Sequence, residues 1–136
     1  MPTTPTAVQV AAAGIGIHAI NHIVVNLIPP VGWNVGTVYH LISAPLYAAL
    51  LYYVLRGRNW ARITITVLLG CQIAGRGVVW ALFPTAGVHA ALIAGWALSV
   101  AILALLWAPR STRRYFGPSA GSPEPHRGSP ADELTS

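Results

Sequence analysis

The chain contains four apolar segments, each close to the roughly 20 residues that a helix needs to cross the hydrocarbon core of a membrane. They cover roughly residues 7–28, 36–55, 61–83 and 87–107 of the 136. Helix-breaking or charged stretches separate them: Pro29 and Pro30, then RGRNWAR, then Pro84. The sequence therefore predicts an all-α integral membrane protein, with a four-helix bundle over residues 1–110.

The charged residues of the chain are few and unevenly placed. Only 8% of the residues are charged, against roughly a quarter in a typical soluble domain. All eight basic residues are arginines, whereas the acids are Glu124, Asp132 and Glu133, so that no carboxylate side chain precedes residue 124. A nucleic-acid-binding protein needs a basic patch that faces solvent, and these arginines instead flank apolar segments. No nucleic-acid partner is therefore expected.

Arginines mark two of the connections and predict the orientation of the chain. They follow the second and fourth segments, and the other two connections have none: the residues are Arg56, Arg58, Arg62, Arg110, Arg113 and Arg114. Positive residues favour the cytoplasmic side, so both termini are expected in the cytoplasm of a multi-pass protein of the cell (cytoplasmic) membrane. The same arginines are candidate anchors for anionic lipid head groups.

The end of the chain has a different composition. Residues 111–136 begin with arginines and continue as GPSAGSPEPHRGSPADELTS, which is rich in glycine, proline and serine. Such a segment cannot bury enough apolar surface to fold. The sequence predicts a disordered cytoplasmic tail.

Two stretches, RGRNWARITITVLLG and LLWAPRSTRRYFGP, resemble parts of the small, uncharacterised four-helix membrane proteins of high-GC actinobacteria. The resemblance covers most of residues 56–118. It implies a location in the cytoplasmic membrane and carries no activity and no site residues with it.

Polar side chains interrupt the apolar segments, first in the stretch HAINHIVVN. At 100° per residue, its two histidines and two asparagines fall within one arc of about 140° of a helix. The third segment places Gln72, Arg76 and Trp80 on one face, and the second aligns His40 with Tyr47. These faces predict a polar cavity that opens outward, lined by His18, Asn21, His22, Asn26, His40, Gln72 and Arg76.

Arg76 is the costliest of these residues, because a charge within a span costs about 2.5–3.5 kcal/mol and the spans offer no acidic partner. Two interpretations remain open from the sequence. In one, His18, His22, Asn26 and His40 hold the guanidinium inside the bundle. In the other, the side chain reaches outward past Trp80 to the head groups.

Three classes of function remain open. The first is a structural or interaction protein that binds a membrane protein or another copy of itself through ridges of small residues, such as Gly87, Ala91, Gly95 and Ser99. The second is binding or transport of an anion or lipid head group through Arg76. The third is a carrier of a metal held by His18, His22 and His40, or of haem b between His22 and His40. The first is preferred, without a cofactor. The spans contain no nucleophile or acid–base pattern that would predict an enzyme.

Overall fold

The computed structural model describes residues 3–27 and 35–117. The regular secondary structure of these residues is entirely helical, with five helices: α1 (Thr6–Val25), α2 (Val35–Leu55), α3 (Asn59–Leu82), α4 (Ala86–Trp107) and α5 (Arg110–Tyr115). The first four are long and apolar enough to cross a membrane. The sequence prediction of an all-helical chain with four long apolar helices is thereby confirmed, and the helix bounds lie close to the predicted segments.

The four long helices pack in a ring that follows chain order. Helix α1 packs against α2 and α4, and α3 also packs against α2 and α4. Helices α1 and α3 therefore lie diagonally across the bundle. Side chains that reach from one to the other must cross its interior.

One end of the bundle collects most of the arginines. There the Tyr115 hydroxyl donates a hydrogen bond to the carbonyl oxygen of Leu55 at 2.5 Å and lies 3.5 Å from the hydroxyl of Thr4. The start of α1, the α2–α3 connection and α5 therefore meet at this end. We call it the arginine-rich end, because its exposed side chains include Arg56, Arg58, Arg110, Arg113 and Arg114. The connection between α3 and α4, residues 83–85, lies at the opposite end.

The apolar core fills the half of the bundle next to the arginine-rich end. The buried residues of α3 all lie between Ala61 and Leu69, and those of α4 begin at Ser99. Beyond these positions, neither helix buries a side chain fully. The outer faces carry apolar residues such as Ile20, Val67 and Val100, which are more than half exposed and suited to contact lipid. The half away from the arginine-rich end is therefore less tightly packed, and the polar side chains lie there.

The turn between α2 and α3 depends on a glycine. The N–H of Gly57 bonds to the carbonyl of Val54, and that of Arg58 to the carbonyl of Tyr53. This pair of bonds forms a Schellman motif, which needs a left-handed residue, and Gly57 has φ of +70°. The aromatic ring of Tyr115 packs against this glycine, with 3.3 Å between its Cε1 and the position that a Cβ would occupy.

Helix α5 is the main difference between the structure and the sequence prediction, which assigned residues 111–136 to a disordered tail. Residues 110–115 are helical, and Thr112 and Phe116 are buried. The Thr112 hydroxyl donates to the carbonyl of Leu105, while the Phe116 ring covers the guanidinium of Arg62. These anchoring contacts order a segment that has no apolar run of its own. Residues 118–136 lie outside the described part of the chain.

Helix α2 contains a proline, Pro45, within its span. Proline has no N–H, so the carbonyl of Leu41 loses the hydrogen-bond donor that residue 45 of a regular helix supplies. Tyr39 and His40 lie on one side of this position along the helix, and Tyr47 lies on the other.

Candidate functional site

Six side chains of α1, α2 and α3 contact one another, five of them buried or partly buried in the bundle and the sixth, Tyr39, 47% exposed. We call this group the polar cluster, and its members are His18, His22, Tyr39, His40, Tyr47 and Gln72. His18 and His22 are only 2% and 3% exposed. Four of the seven residues predicted to line a cavity, namely His18, His22, His40 and Gln72, therefore lie together.

Gln72 joins the two diagonal helices. Its Oε1 lies 2.5 Å from Nε2 of His18, and its Nε2 lies 2.9 Å from Nε2 of His22. The same amide nitrogen donates to the Tyr39 hydroxyl at 2.9 Å. One glutamine therefore bonds to α1 twice and to α2 once, using its acceptor and both amide hydrogens.

The hydrogen bonds determine which ring nitrogens carry protons when all three histidines are neutral. Because the Gln72 amide donates to Nε2 of His22, the proton of that ring is on Nδ1. That nitrogen lies 2.6 Å from Nδ1 of His40, which must accept and carry its own proton on Nε2. His18 donates from Nε2 to the Gln72 oxygen, so that its Nδ1 is an acceptor. The donors therefore point in one direction, from His18 through Gln72 and His22 to His40.

Tyr47 packs against the buried histidines and has an unsatisfied hydroxyl. Its ring stacks on His22 at 5.5 Å between centroids and meets His18 edge-on at 4.9 Å. The side chain is 1% exposed, and the structure gives its buried hydroxyl no hydrogen-bond partner among the described residues. A buried hydroxyl without a partner is costly and calls for a bound group or water.

Arg76 bonds to α4 rather than to the histidines. Its Nη1 donates to the carbonyl of Gly95 at 2.7 Å and to the hydroxyl of Ser99 at 2.8 Å. Helical side chains lean toward the start of their helix, and α3 starts at the arginine-rich end. The guanidinium accordingly extends toward the middle of the bundle. The guanidinium is held inside the bundle, as in the first interpretation, but by Gly95 and Ser99 of α4 instead of the histidines and Asn26.

Gly95 makes room for this guanidinium. A Cβ at Gly95 would lie 2.9 Å from Cζ of Arg76, which is closer than real side chains approach. Two members of the predicted small-residue ridge, Gly95 and Ser99, therefore bind Arg76 within the bundle. The other two, Gly87 and Ala91, are exposed.

The remaining predicted cavity residues lie apart from the cluster. Asn21 is exposed on α1, next to the exposed Ile17 and Ile20. The Asn26 amide donates to the carbonyl of His22 at 3.1 Å, one turn back along the same helix. Neither asparagine side chain bonds across the cluster in the described residues.

Trp80 contacts His89 instead of Arg76, which the outward-reaching arrangement would have placed against its ring. Its ring stacks on His89 at 3.6 Å, with the two planes 6° apart. Trp96 also stacks on Trp80, at 5.6 Å, and donates from its indole nitrogen to the carbonyl of Ile73. His89 belongs to this aromatic group near the α3–α4 connection.

The predicted metal ligands are arranged for hydrogen bonding. Within residues 3–27 and 35–117, no group of three or more His, Cys, Asp or Glu side chains has the arrangement of a metal site. The two Nδ1 atoms of His22 and His40, 2.6 Å apart, are closer than two ligands of a tetrahedral zinc ion, each about 2.0–2.1 Å from the metal.

The arginines that were predicted to contact lipid are of two kinds. Arg62 is 8% exposed, and its guanidinium lies 3.8 Å from the ring centroid of Trp107 and 5.0 Å from that of Phe116. Its Nε and Nη1 have no hydrogen-bond partner among the described residues. The two aromatic faces stabilise the cation instead. The other five predicted anchors are exposed.

Two site residues were missed from the sequence. Tyr47 shares a helical arc with His40, so the pattern placed it near the cavity without indicating an unsatisfied hydroxyl. Tyr39 precedes His40 directly and points about 100° away from it around the helix, and no periodicity indicates that it would meet Gln72.

The chain was compared with known protein families, curated proteins and solved structures. No family model, curated protein or solved structure matches this chain.

Proposed function

We propose that the chain is a multi-pass membrane protein that binds an anion at Arg76, next to the polar cluster. The observation that carries the proposal is that a charged guanidinium lies within a membrane-spanning helix of a chain with no carboxylate side chain before residue 124. Both hydrogen bonds that the structure gives Arg76 are donated by the same nitrogen, Nη1.

The neighbours of Arg76 also support an anion. Arg76 is partly buried, and a charge withdrawn from water is stabilised by an opposite charge as well as by hydrogen bonds. Gly95 and Ser99 supply neutral acceptors only. The polar cluster adjoins Arg76 along α3, four residues away at Gln72, and its Tyr47 hydroxyl has no hydrogen-bond partner among the described residues. An arginine and a hydroxyl together suit the chemistry of a halide, nitrate, carboxylate or phosphate group.

Thermal unfolding of the purified protein in mild detergent tests this function. Chloride, nitrate, acetate and phosphate are compared with gluconate, a bulkier anion, at constant ionic strength. We expect at least one of them to raise the melting temperature of the wild type, because a ligand at 100 times its Kd adds about 2.7 kcal/mol of stability. Arg76→Gln should remove this response. Arg110→Gln, on the exposed part of α5, should keep it.

The proposal is wrong if Arg76→Gln, shown to be helical by circular dichroism, responds to the anions as the wild type does. A wild type that responds to no anion would also contradict it.

We also propose that the arginine-rich end faces the cytoplasm, so that anions reach Arg76 from the other side of the membrane. The test uses single cysteines at Ala86 and Asn59, which are exposed at opposite ends of the bundle, in a Cys71→Ser background. In intact cells, an impermeant maleimide should label Ala86→Cys and leave Asn59→Cys unlabelled until the membrane is opened. The reverse pattern would invert the orientation.

The second candidate is an interaction protein, the function preferred from the sequence. The specific observation is an exposed face of small residues on α3, made up of Gly70, Ala74, Gly77 and Ala81. A Cβ at Gly70 or Gly77 would meet nothing within 4 Å, which leaves space for a close helix–helix contact. This candidate remains if no anion stabilises the wild type.

A further inference from the structure

Helix α5 is anchored to the bundle by one side and presents arginines on another. The exposed side carries all its arginines, which have the spacing i, i+3, i+4 of a single helix face: Arg110, Arg113 and Arg114. The anchored side carries Thr112 and Phe116, which are buried. The hydrogen bond from the Thr112 hydroxyl to the carbonyl of Leu105 ties this side to the end of α4. The arginine face of α5 therefore points away from the bundle.

Tyr115 joins α5 to the α2–α3 turn, which carries two more exposed arginines. Cε1 of Tyr115 and its carbonyl oxygen both lie 3.3 Å from the position of a Cβ at Gly57. Arg56 and Arg58 flank Gly57, and Arg114 directly precedes Tyr115. Because successive Cα atoms are about 3.8 Å apart, these three arginines begin one residue away from a single contact. Two segments of the chain therefore bring arginines to the same place.

Aromatic side chains indicate the level of this place in the membrane. Trp60 begins α3 next to the turn and Trp107 ends α4 next to α5, and both are exposed. Tryptophan is enriched at the level of the lipid head groups. The guanidinium of Arg56 lies 4.4 Å from the ring centroid of Tyr52, which is also exposed. We therefore expect the exposed arginines to lie at the level of the lipid phosphates.

The orientation of the chain does not require this arrangement. It follows from the number of positive residues near the ends of the spans, and these residues need not lie on a folded helix. Here three contacts hold α5 in place. No carboxylate side chain before residue 124 neutralises the arginines. Because the backbone is ordered before a ligand binds, less entropy is lost on binding.

We infer that the arginine-rich end holds the phosphate of an anionic lipid between the α2–α3 turn and α5, with Arg58 and Arg114 as its ligands. Arg56 is engaged with Tyr52, which leaves Arg58 as the free guanidinium of the turn. A guanidinium binds phosphate through two parallel N–H donors, and each basic residue adds about fivefold to the affinity for an anionic lipid surface. This site is separate from the one proposed at Arg76.

Native mass spectrometry of the full chain released from detergent counts the lipids bound. The protein is titrated with phosphatidylglycerol and with phosphatidylcholine of the same acyl chains, in which a cationic group balances the phosphate. We expect the wild type to bind the first phosphatidylglycerol about 25-fold more tightly, from two arginines. Arg58→Gln and Arg114→Gln should each lose about fivefold of this affinity and keep that for phosphatidylcholine. The matched control is Arg76→Gln, which also removes one positive charge and should bind both lipids as the wild type does.

Three results would overturn the inference. One is equal affinity of the wild type for the two lipids. Another is an unchanged affinity for phosphatidylglycerol in Arg58→Gln or in Arg114→Gln, because the two segments would then not share the site. The third is binding of soluble glycerol phosphate as tight as that of phosphatidylglycerol, which would make the ligand a free phosphate. Both arginines are exposed, so both variants should fold, and circular dichroism checks this. The proposed function is tested with anions and no added lipid, so either proposal can fail alone.

Discussion

Replacement of Gly95 by leucine is expected to lower the free energy of unfolding by about 3 kcal/mol, because it breaks two hydrogen bonds of a charged group, each worth about 1.5–3 kcal/mol. The added side chain would occupy the space of the Arg76 guanidinium, 2.9 Å away at Cβ. Arg76 would then lose its bonds to the Gly95 carbonyl and to Ser99. Unfolding by SDS in mixed micelles, followed by circular dichroism, measures the loss.

Gly87→Leu is the matched control for this experiment. Gly87 lies on the same helix, and a Cβ there would meet nothing within 4 Å, so this change should be close to neutral. A further variant, Gly95→Leu with Arg76→Leu, should recover most of the lost stability, because the displaced charge is gone. Equal losses in Gly95→Leu and Gly87→Leu would show that Arg76 does not depend on this contact.

Replacement of Gln72 by leucine should lower the free energy of unfolding by about 2 kcal/mol. Leucine keeps a similar volume but breaks the bonds to His18, His22 and Tyr39, each worth about 0.6 kcal/mol on average inside a membrane. The same unfolding assay applies. Each partner shares one hydrogen bond with Gln72, whereas Gln72→Leu removes all three at once.

The matched control is Gln9→Leu. Gln9 is the other glutamine of the chain and is exposed on α1, and its side chain bonds only to the carbonyl of Thr4 in the described residues. We expect a change of less than about 0.5 kcal/mol, as for surface substitutions in general. A Gln72→Leu variant as stable as Gln9→Leu would mean that the cluster does not hold α1, α2 and α3 together.

The helices could be predicted closely because hydropathy depends on the local sequence alone. Length, apolar content and the prolines and glycines between segments give four helices without reference to their packing. The meeting of His18, His22, His40 and Gln72 was also predictable, since each lies on the polar face of its own helix. Faces of this kind must turn inward in a bilayer.

Contacts that depend on how one helix is rotated against another were not predictable. Arg76 lies on the same face as Gln72, four residues earlier, yet it bonds to α4 while Gln72 bonds to α1 and α2. The choice depends on Gly95, where a missing Cβ gives the guanidinium access to a backbone carbonyl. Helix α5 was missed for a related reason. It is ordered by contacts with Leu105 and Arg62, and the hydropathy of the segment itself does not indicate such contacts.

Pro45 lies between the members of the polar cluster that α2 contributes, and it is the position at which α2 bends most easily. In a bilayer, the carbonyl of Leu41 cannot turn to bulk water for the bond that Pro45 withholds, and so the helix is least stiff at this level. Bending here would carry Tyr39 and His40 with one part of α2 and leave Tyr47 with the other, seated against His18 and His22. Bending at this level would therefore change the separation between His22 and His40, whose hydrogen bond joins α1 to the first part of α2.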